Sequence, residues 1–214
     1  MTRQYTVKKP TRTSARKSRR RQRNTVISKS KSKGRDMTFL KGSNHCGKRE
    51  GLDCKYLTEG AEGQIHACEI GGGKFILKTF KNLRFYDNEL EIINKIPKSI
   101  GAKFITHWAC ENKGYMIFDK WDGSLNDLYV ESLFSPEIPR PKREDIITAI
   151  QPQLDTLHDM GLFHNDLHMG NILYKRIGNG KYEYTLTDFG QTDTHEKPNK
   201  RDKLMFEKLL RELK

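Results

Sequence analysis

The segment His164-Asn165-Asp166-Leu167-His168-Met169-Gly170-Asn171 sets a carboxylate shortly before an amide, and a second carboxylate follows in Asp188-Phe189-Gly190. Carboxylate and amide oxygens are hard ligands that suit Mg²⁺ or Mn²⁺. A carboxylate facing a hydroxyl can also orient it or take its proton. Phosphoryl transfer needs these residue types, because the transferring group is stabilised mainly by positioning and by metal charge. Upstream, Gly60 and Gly63 in Thr58-Glu59-Gly60-Ala61-Glu62-Gly63-Gln64-Ile65 would let backbone N–H groups approach phosphates without an intervening Cβ. Lys78 closes the apolar run Phe75-Ile76-Leu77-Lys78 a short way further on.

Periodicity indicates the elements that must hold these groups. Ile65–Ile70 and Lys74–Phe80 are rich in β-formers and meet at Gly71-Gly72-Gly73, which predicts a hairpin. Leu83–Ile96 has apolar residues at helical spacing and is stopped by Pro97. On that helix Glu89 shares a face with Phe85, Tyr86, Ile92, Ile93 and Ile96, whereas Glu91 neighbours Asp87, Asn88, Asn94 and Lys95. A carboxylate on a core-facing stripe needs a buried cation, so Glu89 is expected to point inward. Phe104–Trp108 and Tyr115–Phe118 predict a second hairpin. Asp145–Met160 predicts a long helix that Pro152 should kink or divide. Ile172–Tyr174 and Tyr182–Thr187 flank Gly178-Asn179-Gly180 as a third hairpin, and a charged amphipathic helix spans about Arg201–Leu213. Strand pairs separated from helices predict an α+β fold with antiparallel sheet.

With these elements around them, the motifs resemble the protein-kinase superfamily, whose catalytic loop reads H-R-D-x-x-x-x-N and whose metal-binding strand ends in D-F-G. The resemblance covers about residues 55–190 and implies a two-lobed kinase-like fold, with lobes at about 53–118 and 119–214. It implies that ATP and Mg²⁺ or Mn²⁺ bind between them. Asp166 would orient or deprotonate the acceptor, and Asn171 and Asp188 would hold the metal. Lys78 would contact the α- and β-phosphates and pair with Glu89. Gly60 and Gly63 belong to a glycine-rich loop whose first glycine is replaced by Thr58. Met116–Leu125 resembles the hinge, where adenine would bond the backbone near Asp119–Trp121 with Phe118 behind it. Ala61, Ile65, Ile76 and Leu173 would form its apolar walls. Asp202 is the candidate to brace the catalytic loop from below.

Two departures qualify the resemblance. His168 stands where Ser/Thr kinases carry lysine; a histidine beside the γ-phosphate would change charge near neutral pH and make transfer pH-dependent there. Only 24 residues follow Gly190, so an activation segment with A-P-E and the later helices is not expected, and the C-terminal lobe would be minimal. D-L-H-x-G-N is similar to aminoglycoside-phosphotransferase-like enzymes, and the short C-terminus to the KEOPS-complex kinase, the Rio kinases and small kinases of large DNA viruses. The leading expectation is an atypical Ser/Thr protein kinase. The alternatives are a small-molecule phosphotransferase, a KEOPS-type ATPase, or a pseudokinase acting as a structural component.

Charge divides the chain. Of 40 Lys and Arg, 14 fall in residues 1–35 with no acidic residue, leaving 26 against 27 acids in residues 36–214. Residues 1–52 are expected to be a disordered basic tail and linker, since a segment with few apolar residues cannot offset the entropy of ordering. Such a tail suits nucleic acid, an acidic partner or import machinery. Gly42–Lys48 imitates a phosphate-binding loop, but Arg49 replaces its Ser or Thr. No apolar run is long enough to span a membrane. Cys46, Cys54, Cys68 and Cys110 include no C-x-x-C pair, and a zinc set drawn from them with His45 and His66 fits no ligand spacing. Free thiols in an intracellular setting, or in a virion, are expected.

Overall fold

The computed structural model describes residues 53–197 and 200–213; the basic tail, His45, Cys46 and the loop-like Gly42–Lys48 lie outside them. Five strands form an antiparallel sheet in the order β1-β2-β3-β5-β4, from β1 (Asp53–Glu59), β2 (Gly63–Ile70), β3 (Gly73–Phe80), β4 (Phe104–Cys110) and β5 (Lys113–Asp119). Helix α1 (Leu83–Lys95) crosses between β3 and β4. Its N-terminus is capped by Asn82, whose side chain accepts from Phe85 N, and it stops at Ile96 before Pro97.

Strand alternation gives this sheet two faces. Pairing of β3 with β5 sets Ile76 opposite Phe118 and Lys78 opposite Met116. Phe80, Tyr86 and Met116 form the cluster under α1. Phe75, Leu77, Tyr115 and Ile117 pack on the other side with Cys68. Lys78 therefore emerges on the face that α1 covers.

The second half is built on helices. A two-residue strand β6 (Gly123–Ser124) leads into α2 (Leu125–Phe134), an element to which the sequence analysis assigns no structure. Its start was encoded in Ser124-x-x-Asp127: Ser124 Oγ accepts from Asp127 N, and Asp127 Oδ2 accepts from Ser124 N at 2.8 Å. Helix α3 (Arg143–Asp159) runs continuously through Pro152, so the proline does not divide it. Its Ile146, Ile150, Leu154 and Leu157 are all buried, at most 2% exposed. They pack against β7 (Ile172–Gly178), β8 (Lys181–Leu186) and α4 (Asp202–Glu212) in the largest apolar cluster. Strands β6, β7 and β8 form a small antiparallel sheet. The molecule is thus α+β, with a sheet-rich half and a helix-rich half in the manner of a protein kinase. No helix among the described residues is long and apolar enough to cross a membrane.

The expectation of free thiols is wrong. Cys54 and Cys68 are joined by a disulfide, Cys110 is disulfide-bonded too, and no free cysteine is present among the described residues. The β1–β2 register places Cys54 directly opposite Cys68, with Cα atoms 4.1 Å apart. That proximity comes from strand pairing, which cysteine spacing alone does not reveal. The bond also removes both residues from any zinc set. A cross-link closing a loop of this length stabilises a chain by about 3 kcal/mol. The double substitution Cys54→Ser/Cys68→Ser is therefore expected to cost about 2–3 kcal/mol in denaturant titration. An unchanged midpoint would mean that the bond contributes nothing.

Candidate active site

Lys78 is 8% exposed, and a buried ammonium must be paired. Its Nζ lies 2.5 Å from Glu89 Oε2 and 2.8 Å from Asp188 Oδ1. Burial alone would push the ammonium toward its neutral form, but Glu89 and Asp188 outweigh it and raise Lys78 above the ordinary lysine range. Glu89 is 2% exposed, and burial pushes its carboxyl up to about 7 against the opposing pull of Lys78. Burial acts the same way on Asp188, yet the charge and hydrogen bond of Lys78 hold it below the usual carboxylate range. Glu91, on the outer face of α1, pairs with Lys95 at 2.6 Å.

Asp188 occupies the left-handed region at φ 62, which aspartate tolerates better than most residues. The turn Phe189–Gln191 follows, with Phe189 buried against the His164 ring at 5.5 Å. His164 is fully buried, and its Nε2 donates to Thr187 O at 3.0 Å. Burial lowers its pKa, so the ring is neutral there.

The catalytic-loop candidate is braced from α4. Asp202 is completely buried; its Oδ2 accepts from His164 N at 2.8 Å and pairs with His158 Nε2 at 2.9 Å. Its Oδ1 accepts from Asn165 N at 2.8 Å. Asn165, also fully buried and at φ 62, works in the other direction. Its Nδ2 donates to Phe163 O and His195 O, and its Oδ1 accepts from Lys197 N at 2.9 Å. The loop and the segment after Gly190 are thereby tied together through one side chain. The motif makes Asn165 visible in the sequence, but nothing in it shows that this residue anchors a distant segment.

Asp166 sits beyond that brace. Asn171 Nδ2 donates to Asp166 O at 2.8 Å and to its Oδ2 at 3.2 Å, leaving the Asn171 amide oxygen as the atom a cation would take. His168 is half-exposed, and its Nδ1 accepts from Gly170 N at 3.0 Å, capping the turn Met169–Asn171. Its Nε2 stands 3.8 Å from Asp166 Oδ2. On the other oxygen, Lys200 Nζ approaches to 3.7 Å. The sequence reading did not single out Lys200.

It did not single out Glu62 either. This residue rides on the glycine-rich loop and turns inward: Gln191 Nε2 donates to its Oε1 at 2.9 Å, and Lys78 Nζ is 3.8 Å from Oε2. Close approach to backbone explains Gly63, while Gly190 faces the carboxylate of Glu62. A Cβ on Gly63 would lie 1.8 Å from Thr79 O, and one on Gly190 would lie 2.2 Å from Glu62 Oε2. Glu62 Oε2 is buried without a hydrogen-bond partner, and carboxylate oxygens of Glu62, Glu89 and Asp188 lie within 4.8 Å of one another. An orphaned acceptor among hard oxygen donors fits a divalent cation.

The adenine-side residues fall into place unevenly. Ile65 and Ile76 lie on β2 and β3, Leu173 on β7, and Ala61 is exposed on the loop. Phe118 is on the Lys78 face of β5 and packs with Phe104. Asp119 N already donates to Lys103 O, and Asp122 N to Tyr174 O. That leaves Lys120 and Trp121 to offer hinge N–H groups. The Trp121 side chain instead lines a groove of about 720 Å³ with Arg140, Gln153 and Tyr182.

Known proteins are similar to this chain in family and fold. A segment of the nematode Caenorhabditis elegans serine/threonine-protein kinase zyg-8 is 24% identical over 102 residues, covering 48% of this chain and 12% of that protein. The Dictyostelium discoideum protein fhkD, named as a probable serine/threonine-protein kinase, is 26% identical over 129 residues, covering 60% of this chain and 17% of that one. The chain therefore matches under a fifth of the length of these curated relatives. The crystallised kinase domain PF14_0431 superposes with a TM-score of 0.51 at 20% identity, over 67% of this chain and 51% of that one, and is similar in fold. Residues 57–208 match the protein kinase domain, and the chain belongs to that family.

Proposed function

We propose that this chain is an ATP- and Mg²⁺-dependent phosphotransferase (Mn²⁺ being an equivalent metal) that acts on serine or threonine hydroxyls of a protein. The observation that carries the reading is the joined array Lys78–Glu89–Asp188, set beside an Asp166–Asn171 pair whose loop is braced by buried Asp202. Lys78, held charged, would receive the α- and β-phosphate oxygens. Asn171 and Asp188, with Glu62 in reach of Asp188, would hold the metal. Bound metal supplies charge neutralisation at the phosphate oxygens. Asp166 would orient the acceptor hydroxyl and accept its proton at a carboxylate oxygen. Glu62 stands where phosphate must come, so the glycine-rich loop has to lift, or Glu62 has to turn onto the metal, when nucleotide binds.

Thr13, Ser14, Ser18, Ser28, Ser30 and Ser32 lie among basic residues of the tail and are candidate acceptors on the chain itself. The same basic residues support contact with nucleic acid or an acidic partner. Incubation of the full chain with labelled ATP and Mg²⁺, with and without a generic protein acceptor, tests the transfer. Asp188→Ala is expected to lower labelling by about 10²–10³-fold, as loss of a key electrostatic group does. Equal labelling of wild type and variant would count against this site.

A further inference from the structure

The position that carries lysine in Ser/Thr kinases is His168 here, and its ring is occupied as a turn cap. With Nδ1 held by Gly170 N, the ring is tied to its own turn, and its Nε2 stands 3.8 Å from Asp166 Oδ2, beyond hydrogen-bond distance. Phosphoryl transfer nonetheless spreads negative charge over three equatorial oxygens, and Asp166 adds another negative group beside them. Lys78 cannot serve both places, being enclosed by Glu89 and Asp188. Among the described residues, Lys200 is the only lysine or arginine within ion-pair distance of Asp166.

We infer that Lys200, delivered by the segment after Asp188-Phe189-Gly190, is the cation that bridges Asp166 and the terminal phosphate in this chain. The inference rests on the phosphotransferase reading above and adds a residue to it. The position of Lys200 is built from both sides. Before it, Lys200 N donates to Lys197 O at 2.8 Å, and Lys197 N donates to Asn165 Oδ1. After it, α4 begins at Asp202, whose carboxylate receives the backbone N–H groups of His164 and Asn165. Both anchors end on the residues just before Asp166, which places the ammonium beside the carboxylate. The Lys200 side chain is 41% exposed, which leaves its ammonium open to an incoming phosphate. Among the described residues Lys200 has no other ion-pair partner.

The test compares full-length wild type, Lys200→Met and Lys200→Arg. Titration calorimetry with Mg²⁺ measures how much more tightly each binds adenylyl imidodiphosphate than ADP, and labelled ATP gives kcat and the ATP KM. Methionine keeps most of the aliphatic stem, so folding should survive; the melting temperature checks it. Lys200→Met is expected to weaken the triphosphate analogue by about tenfold while ADP binding stays within about twofold, as loss of a charge-assisted contact to one phosphate does. Its kcat should fall by about 10–100-fold with KM changing far less, and arginine should restore most of both. Equal losses for analogue and ADP, or an unchanged kcat and an unchanged analogue preference, would overturn the bridging role. If the preference for the analogue depends on Lys200 but wild type transfers no phosphate, the phosphotransferase reading falls and the phosphate contact stands. If wild type transfers phosphate and Lys200→Met does so equally well, only the role of Lys200 falls.

Discussion

Asp202→Ala is expected to lower stability by about 3–5 kcal/mol and to remove most phosphotransfer. The carboxylate is fully buried and accepts three hydrogen bonds, two of them from the backbone N–H groups of His164 and Asn165. Stranding a buried donor costs roughly 1–3 kcal/mol, and breaking a buried network that includes a charge costs more. The functional loss follows from position. His164 and Asn165 directly precede Asp166, and a displacement of about 1 Å at a catalytic group can cost about 10²-fold in rate. Denaturant titration and labelling of the same preparations measure both effects. Asp202→Asn keeps the volume but turns an amide donor toward one of the backbone donors, so it should fall between wild type and alanine. A loss below about 1 kcal/mol for the alanine variant would show that α4 does not brace the loop.

The second large effect separates stability from chemistry. Lys78→Met leaves Glu89, 2% exposed, without its cation. Removing one partner of a buried pair costs about 3–5 kcal/mol, whereas replacing both by apolar residues of similar volume is often neutral. Asp188 suffers less, since its side chain is 39% exposed and can be solvated. The double variant Lys78→Met/Glu89→Met should therefore regain most of the stability that the single variant loses. It should regain none of the labelling, because the cation that would meet the phosphates is gone in both. Denaturation midpoints and labelling of these proteins, with wild type and the Glu89→Met single variant, complete the cycle. A double variant as unstable as the single one would place the cost elsewhere than on stranded Glu89.

Local pattern was enough for much of the architecture. The inward face of α1 was readable because Glu89 shares a helical period with Tyr86 and Ile92, and burial follows that period. The three hairpins were readable because short turns, two of them containing glycine, separate runs of β-formers. Helix α2 escaped because its apolar residues Leu125, Leu128, Val130, Leu133 and Phe134 do not form one stripe. Val130, Leu133 and Phe134 are exposed, while Leu125 and Leu128 are buried. Its capping box was the better signal.

By its sequence alone, the chain determined its α+β class, the order of three hairpins with α1, α3 and α4, and the identity of the acidic and basic groups available to phosphate and metal. These depend on backbone preference and on side-chain period, which act over a few residues. Tertiary structure decided which distant residues meet. Strand register joined Cys54 to Cys68, and loop closure brought Glu62 to Lys78 and Gln191. The docking of α4 carried Asp202 under the catalytic loop, and the segment before it carried Lys200 to Asp166. Such pairings are fixed by packing and by the need to satisfy buried polar groups, and that requirement is met between elements rather than within them.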